Sequence, residues 1–240
     1  MSMAYRSIFK RREMKFMLSP DKYSEFRKLI SPYMSEDSYG LHTICSIYFD
    51  TDDNRIIRTS LEKPEYKEKL RLRSYGVPRS GSQTVFLELK KKYKKIVYKR
   101  RIQTTLDKAN GYIRTGKLDD SSQIFGEIDY FRRFYNAYPK LFVGYDRIAM
   151  FGKEDPELRM TFDFRIRCRR ENLDLKCGDH GTYIIPDGYA LLEIKIAKAM
   201  PIWLSDILTQ LDIYPVSFSK YGIFYKKEMR GELSICSQVS

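Results

Sequence analysis

Cationic and apolar residues alternate along several segments of this chain. From Lys67 to Arg73 every second residue is a lysine or an arginine, and Leu70 and Leu72 stand between them. Successive side chains of a β-strand point to opposite faces of its sheet. This spacing therefore predicts a strand with one cationic face and one apolar face.

The same rule assigns charged residues to one face of other predicted strands. These faces carry Arg11, Glu13, Lys15, Phe86, Glu88, Lys90, Lys92, Lys99, Arg101, Arg159, Thr161, Asp163, Arg165, Arg167, Leu191, Glu193, Lys195 and Ala197. A single strand of this kind is typical of an antiparallel sheet with one solvated face. Over several strands neighbouring like charges repel. The face is then stable only if an anion neutralises it or if carboxylates lie between the cations.

The remaining periodicity predicts an α+β fold, with a single domain over residues 1–240. Strands are expected at about 7–18, 41–50, 66–76, 83–92, 94–102, 141–151, 158–170 and 189–197, and helices at about 20–33, 52–61, 104–116, 121–137 and 201–212. The segment from Ser217 is ambiguous, with a further short helix as one interpretation. Because a sheet cannot leave its apolar face in water, we expect a closed antiparallel β-barrel with helices packed outside and cations in its lumen.

The charge balance indicates an anionic partner. Lysine and arginine total 44 against 31 aspartates and glutamates, a formal net charge of +13. Composition alone leaves open nucleic acid, an anionic membrane or a phosphate-rich small molecule. Base stacking would need aromatic residues among the cations, and Tyr75 and Phe86 are the only prominent ones, so no nucleic-acid partner is expected. No apolar run spans a bilayer and the start lacks a signal peptide, so we expect a cytoplasmic protein that would need a membrane-protein partner for any membrane coupling.

A lumen of lysine, arginine and a few carboxylates suits a linear polyanion with a divalent cation. Arginine offers phosphate a planar pair of donors, and lysine offers a mobile point charge. Carboxylates supply the hard oxygen ligands that Mg²⁺ or Mn²⁺ prefers. The sequence contains no GxxxxGK[ST] loop, no GxGxxG after a strand and no GxSxG elbow, which argues against the chemistries that use those motifs.

Short motifs along the chain resemble, in the same order, the VTC domain. This is the catalytic domain of the vacuolar-transporter-chaperone polyphosphate polymerases, which are triphosphate tunnel metalloenzymes related to the CYTH proteins. The motifs are REMKF at 12–16, SIYFD at 46–50, KLRLRSYG at 69–76, FLELK at 86–90, YKRR at 98–101, YDR at 145–147, LRMTFD at 158–163, LEIK at 192–195 and SKYG at 219–222. Each is weak alone, but together they cover nearly the whole chain.

The resemblance implies an antiparallel tunnel of about eight strands that takes ATP as phosphoryl donor. The implied catalytic, phosphate-contacting set is Lys15, Arg71, Arg73, Lys90, Arg147, Arg159 and Lys220, and the implied substrate-binding set is Lys69, Lys99, Arg101 and Lys195. Glu193 resembles the ligand of an Mn²⁺ or Mg²⁺ ion, with Glu13, Glu88 and Asp163 as further candidates. Many tunnel enzymes begin with Glu-x-Glu-x-Lys, whereas Arg11 stands at the first position here, which favours one strongly bound ion over two.

The function implied is that of a metal-dependent polyphosphate polymerase. The terminal phosphate of a growing chain would attack the γ-phosphate of ATP and release ADP. That nucleophile is already ionised and needs no general base, in keeping with only two histidines, His42 and His180. An inorganic or nucleoside triphosphatase that uses the same site, and a non-catalytic module that binds polyphosphate or inositol phosphates, remain open alternatives.

Overall fold

The structure of the protein is a computed structural model that describes residues 8–9, 12–94, 96–197 and 199–233. Its strands are β1 (Ile8–Phe9), β2 (Arg12–Leu18), β3 (Met34–Glu36), β4 (His42–Asp50), β5 (Tyr66–Tyr75), β6 (Thr84–Tyr93), β7 (Ile96–Thr105), β8 (Tyr138–Gly152), β9 (Arg159–Arg169), β10 (Thr182–Tyr183) and β11 (Ala190–Ile196). Its helices are α1 (Pro20–Ile30), α2 (Arg55–Leu61), α3 (Leu106–Thr115), α4 (Gln123–Tyr135), α5 (Ile202–Gln210) and α6 (Lys220–Met229). The predicted mixture of helices and strands is confirmed, and the ambiguous tail contains a helix. The short strands β3 and β10 were not predicted.

The described strands form one antiparallel sheet. Its order is β1-β7-β6-β5-β4-β8-β9-β11-β2, with β3 paired to β8 and β10 paired to β9. Among these residues no backbone pairing joins β2 to β7 or β1, so the sheet is open there and the predicted closed barrel is not confirmed. Residues 215–216 contact the edge of β2 that no other described strand joins. Val216 N donates to Lys15 O at 2.7 Å, and Pro215 forms a bridge with Phe16.

Helices cover the apolar face of the sheet, which we call the outer face. Tyr112 of α3 and Phe131 of α4 pack against Leu72 and Leu87 of β5 and β6. A second buried cluster joins α1 and α5 to β2, β9 and β11, through Phe26, Leu204, Phe16, Phe162 and Leu192. Each fully buried side chain of this size stabilises the fold by about 1.5–3 kcal/mol. The alternation of apolar and charged residues therefore assigned these strand faces correctly.

The opposite, inner face carries a buried apolar cluster where α6 packs on it. There Tyr221 and Phe224 of α6 pack against Val143 and Cys168. The Tyr221 hydroxyl donates to Asp50 at the end of β4, at 2.9 Å. Helix α6 thus closes one end of the inner face, and the charged residues occupy the rest of it.

One strand breaks the predicted alternation. Arg165 of β9 has a φ of +47°, and the register of β8 with β9 shifts at this point. The extra residue of such a bulge reverses the faces of all later side chains. Arg167 is therefore buried on the outer face, where it contacts Asp146 and Asp179. The prediction that Arg165 and Arg167 continue the inner row of Asp163 was wrong.

Local sequence signals account for the start of α1. Ser19 caps the helix by accepting a hydrogen bond from Lys22 N at 3.4 Å, and Pro20 occupies the first turn, where its missing N–H costs nothing. Over the described part of the chain, no helix combines the length and apolar character needed to cross a membrane.

Candidate polyanion-binding site

The inner face gathers most of the cations that the alternation and the family resemblance predicted. Ten lie on β2, β5, β6, β7, β8, β11 and α6: Lys15, Lys69, Arg71, Arg73, Lys90, Lys99, Arg101, Arg147, Lys195 and Lys220. Four carboxylates share the face with them: Glu13, Glu88, Asp163 and Glu193. The cations exceed the carboxylates by six, which leaves a strong positive potential for an anion to neutralise.

Glu88 is the centre of the first ion-pair cluster. Its carboxylate receives Arg71 Nε at 2.7 Å, Arg101 Nη2 at 2.6 Å and Lys99 Nζ at 2.9 Å. Arg73 Nε lies farther away, at 3.7 Å. Burial raises the pKa of Glu88, but Arg71, Arg73 and Lys99 outweigh it and hold the pKa well below its ordinary value. The carboxylate therefore stays ionised and holds the guanidinium groups in place.

The buried Tyr145 and the partly buried Tyr48 extend this cluster, and the sequence analysis gave neither of them a role. Arg71 Nη1 donates to Tyr48 OH, and Arg73 Nη2 donates to Tyr145 OH, both at 3.1 Å. Burial raises both tyrosine pKa values, yet the adjacent arginines outweigh it and lower them. The alternation could have indicated Tyr145, because it lies two residues before Arg147 on the same strand and therefore shares its face.

Asp163 is the centre of the second cluster. Arg147 donates to its two oxygens at 2.6 and 2.8 Å, and Lys220 donates to one of them at 2.5 Å. Burial opposes ionisation, but Arg147 and Lys220 lower the pKa of Asp163 to about 2. Both cations also lie over the ring of Tyr145, at 5.0 and 4.3 Å from its centroid. Asp163 thereby fixes a strand cation and a helix cation side by side.

Within the part of the chain that the structure describes, the third group, Glu13 and Glu193, is ion-paired with lysines. Lys195 Nζ lies 2.7 Å from Glu193, and Lys15 Nζ lies 3.4 Å from Glu13 and 3.9 Å from Glu193. Lys90 Nζ reaches Glu13 at 3.8 Å. Burial raises the pKa of Glu193, and Lys195 and Lys15 outweigh it, so the pKa lies well below its ordinary value. Burial raises the pKa of Glu13 and so does Glu193, but Lys90, Lys15 and Lys195 outweigh them and lower it.

Helix α6 also contributes its amino end to this face. Ser219 caps the helix by accepting from Gly222 N at 3.3 Å, and it accepts from Lys69 Nζ at 3.4 Å. Burial is the main cause that lowers the pKa of Lys69 to about 8, and neighbouring lysines add to it. A helix amino terminus carries a partial positive charge, so α6 adds to the potential that the lysines create.

Arg159 is the predicted site residue that the structure keeps outside these clusters. It is exposed at the start of β9, and its Nε donates to Pro156 O at 3.2 Å. It lies at the rim of the inner face. Arg11 lies outside the described residues.

Three polar atoms of this face are buried without a hydrogen-bond partner among the described residues: Ser46 Oγ, Arg73 Nε and Thr161 Oγ1. Native proteins satisfy nearly all buried polar groups with protein, water or ligand. No described residue satisfies the hydrogen-bonding capacity of these three atoms.

The family model described as the VTC domain matches residues 10–228. The chain belongs to the VTC domain family. No curated protein matches this VTC domain.

Solved structures resemble this VTC domain in fold. A candidate adenylate cyclase of Bacillus halodurans superposes with a TM-score of 0.55 at 12% identity, over 89% of this chain and 95% of that one. A candidate adenylate cyclase of Vibrio parahaemolyticus gives 0.49 at 12% identity, over 90% and 97% of the two chains. The Mimivirus capping enzyme triphosphatase gives 0.36 at 9% identity, over 85% and 89%. The first likeness supports the fold alone, and the other two are too weak to carry an argument.

The four carboxylates of this VTC domain differ in how well they could hold a divalent cation. Within the described residues, no group of three histidine, cysteine or carboxylate side chains is placed to bind a metal ion. Mg²⁺ is often bound by only one or two carboxylates, with substrate phosphates and water as the other ligands. Glu13 and Glu193 fit that arrangement, because their ion-pair partners among the described residues are lysines, whose single ammonium group holds a carboxylate less rigidly than a guanidinium does. Glu88 and Asp163 fit it poorly, because arginines already occupy their oxygens.

Proposed function

We propose that this protein is a polyphosphate polymerase that transfers the γ-phosphate of ATP to a growing polyphosphate chain on the inner face of the sheet. The observation that carries the proposal is the excess of ten cations over four carboxylates on that face. Membership of the VTC domain family supports it. A linear polyphosphate supplies the repeated negative charges that such a surface needs.

Enclosure of the bound chain is part of the proposal. Side chains from distant strands approach one another on the inner face, as in the 3.8 Å pair between Glu13 of β2 and Lys90 of β6. Lys69 of β5 similarly reaches Ser219 at the start of α6. We infer that these side chains surround the substrate as a tunnel would, although backbone pairing leaves the sheet open. A surrounded site excludes water and strengthens every charge interaction within it.

Catalysis would depend on position and charge. A terminal phosphate oxygen of the acceptor forms a bond to the γ-phosphorus of ATP, and the bond from that phosphorus to the β–γ bridging oxygen breaks, so that ADP leaves with the electron pair. Arg71, Arg73 and Arg147 would bind the phosphate oxygens while charge develops on them. Their fixed orientation, set by Glu88 and Asp163, means that little reorganisation is needed during the reaction.

Glu193 and Glu13 are the residues that would hold a divalent cation. A bound Mn²⁺ or Mg²⁺ would supply charge neutralisation on the phosphate oxygens. Lys15 lies within 3.9 Å of both carboxylates. We infer that it turns from them toward the phosphates when a cation binds, which would keep the local charge balanced.

Hydrolysis at the same site is the main alternative. Water instead of a phosphate chain would then accept the phosphoryl group, as in an inorganic or nucleoside triphosphatase. A non-catalytic module for polyphosphate or inositol phosphates is the third candidate. The carboxylate pair Glu13 and Glu193 favours an enzyme, because these two residues could hold the divalent cation that phosphoryl transfer uses.

The deciding experiment is incubation of the protein with ATP and Mn²⁺, followed by separation of the products. Long phosphate chains with ADP would support the proposal, orthophosphate with ADP would identify a hydrolase, and tight binding without turnover would identify a binding module. Glu193→Gln should reduce turnover by at least about 100-fold, a loss comparable to that of a charge-stabilising group. Arg100→Ala is the matched control, because Arg100 lies on the outer face beside Glu127 and should retain turnover.

A further inference from the structure

A row of aromatic side chains lies at the end of the inner face that α6 leaves uncovered. The rings of Tyr39 and His42 are 6.1 Å apart, those of His42 and Tyr75 are 6.4 Å apart, and those of Tyr75 and Phe86 are 5.7 Å apart. Tyr39 is 77% exposed and Tyr75 is 47% exposed. We call these four residues the aromatic ledge. Single exposed aromatic residues are ordinary, but a row of them in mutual contact is a surface feature that calls for a partner.

The ledge belongs to the same face as the cations. Tyr75 follows Arg73 by two residues on β5, and Phe86 precedes Glu88 by two residues on β6. Residues two apart on a strand share a face and are about 7 Å apart along it. The ledge is therefore one pleat beyond the innermost arginines. It lies at the opposite end of β4 from Asp50, where α6 is packed.

Arg101 connects the ledge to the cationic cluster. Its guanidinium lies 4.2 Å above the centre of the Phe86 ring. Its Nη2 donates to Tyr75 OH at 3.1 Å, and its Nε donates to Glu88 at 2.7 Å. A single side chain thus touches both aromatic residues and the carboxylate that orients the phosphate-binding arginines. A ligand that reaches the arginines from the open end must pass the ledge.

We propose that the aromatic ledge binds the base of a nucleoside triphosphate whose phosphates lie among Arg71, Arg73 and Arg101. This inference rests on the proposed function and adds to it a preference for the donor. Aromatic side chains stack on the flat face of any base, and they offer nothing comparable to inorganic triphosphate. The exposed ring pair Tyr130 and Phe134 does not compete for this role, because it lies on α4, which covers the outer face.

The ledge therefore separates two kinds of phosphoryl donor. The protein should bind a non-hydrolysable ATP analogue more tightly than inorganic tripolyphosphate, and it should prefer purine to pyrimidine nucleotides because a purine presents the larger stacking face. Loss of one stacking ring weakens the binding of a base by about 5- to 100-fold. The dissociation constant of tripolyphosphate should change little.

The test is to measure the dissociation constants of both ligands, by calorimetry, for three variants and the wild-type protein. Tyr75→Ala should weaken the ATP analogue by the factor given above and leave tripolyphosphate nearly unchanged. Tyr75→Phe keeps the ring and loses only the hydroxyl that Arg101 contacts, so it should bind the analogue nearly as wild type does. Tyr130→Ala, on the outer face, should change neither constant.

Each other outcome overturns the inference. Equal weakening of both ligands by Tyr75→Ala would mean that Tyr75 acts only by holding Arg101, and no weakening of either would mean that the ledge has no contact with the ligand. Tight tripolyphosphate binding by the wild-type protein, with the analogue no tighter, would refute the ledge and leave the proposed function intact. A wild-type protein that binds neither ligand would refute both.

Discussion

Glu88 and Glu193 are both buried carboxylates of the inner face, yet different cations hold them. Glu88 contacts the guanidinium groups of Arg71 and Arg101 at 2.7 and 2.6 Å. Among the described residues, the ion-pair partners of Glu193 are ammonium groups, with Lys195 at 2.7 Å and Lys15 at 3.9 Å. Arginine holds a carboxylate through a rigid planar set of donors, whereas lysine is a flexible point charge that can turn to another partner.

We propose from this difference that the inner carboxylates have two roles. Glu88 would orient the arginines proposed to bind phosphate before a ligand arrives. Glu193 would exchange partners, with Lys15 and Lys195 turning toward a phosphate while a divalent cation takes their place. A site for a polyanion and a cation needs both kinds, since arginines without carboxylates between them would repel one another.

Exchange of each carboxylate for its amide should give the largest difference between the two. Glu88→Gln leaves the buried Arg73 and three other cations without their counter-charge, so we expect a loss of about 3 kcal/mol in the free energy of unfolding. Glu193→Gln should cost about 1 kcal/mol or less, because Lys15 and Lys195 are partly exposed and can reach water. Chemical denaturation of both variants measures this. Equal losses would contradict the division of roles.

The pH dependence of the free energy of unfolding gives a second test of the Glu88→Gln variant. The pKa of Glu88 in the folded protein lies below its ordinary value of 4.5, so its stabilising effect is complete above that pH and is lost as the pH falls. Acid should therefore destabilise the wild-type protein more steeply than Glu88→Gln.

The titration of lysines on the inner face should have effects of intermediate size. Raising the pH should weaken tripolyphosphate binding but increase the free energy of unfolding. Burial lowers the pKa values of Lys69 and Lys99 to about 8. As the pH rises from 7 to 9 the free protein loses these charges, so tripolyphosphate binding should weaken relative to a Lys69→Arg variant, whose guanidinium stays charged. The comparison with the variant cancels the titration of the ligand itself.

Stability should change in the other direction over the same range. The unfolded chain keeps its lysines protonated up to about pH 10.5, so it binds more protons than the folded protein, and the free energy of unfolding rises between pH 8 and 10.5. Lys69→Arg should reduce this rise. If the affinity of the variant and that of the wild-type protein changed in parallel with pH, Lys69 would not titrate in this range.

The sequence predicted which face of the sheet each strand residue occupies more reliably than it predicted whether the sheet closes into a barrel. The alternation alone placed Arg71, Arg73 and Glu88 on one face, because the residues next to them on β5 and β6 include leucines that pack in the core on the opposite side. The alternation gave the wrong face from Arg165 onward. The extra residue of the bulge, which has a positive φ, reverses the faces of the side chains that follow it. A bulge of this kind leaves no mark in the alternation unless glycine occupies it.

The alternation of residue types also could not predict contacts between distant segments of the chain. Lys220 was assigned from a short motif in an ambiguous tail, and only the folded structure pairs it with Asp163 across 57 positions of sequence. The edge of β2 is occupied by Pro215 and Val216, in a segment without strand periodicity. The predicted closed barrel is not confirmed among the described strands, and this segment occupies part of the edge at which the sheet stays open.

A third carboxylate, on the outer face, should give the smallest effect and completes the comparison. Glu127 of α4 contacts one ammonium group, Lys91 at 2.9 Å, and one guanidinium group, Arg100 at 3.2 Å, so its pairing is intermediate between those of Glu88 and Glu193. Burial raises its pKa and Lys91 and Arg100 lower it, with a net decrease. Its two partners reach solvent, so Glu127→Gln should cost under about 1 kcal/mol in the free energy of unfolding. It should leave ATP turnover and tripolyphosphate binding unchanged. A loss of turnover in this variant comparable to that expected for Glu193→Gln would mean that charge balance over the whole chain, rather than the arrangement of the inner face, governs activity.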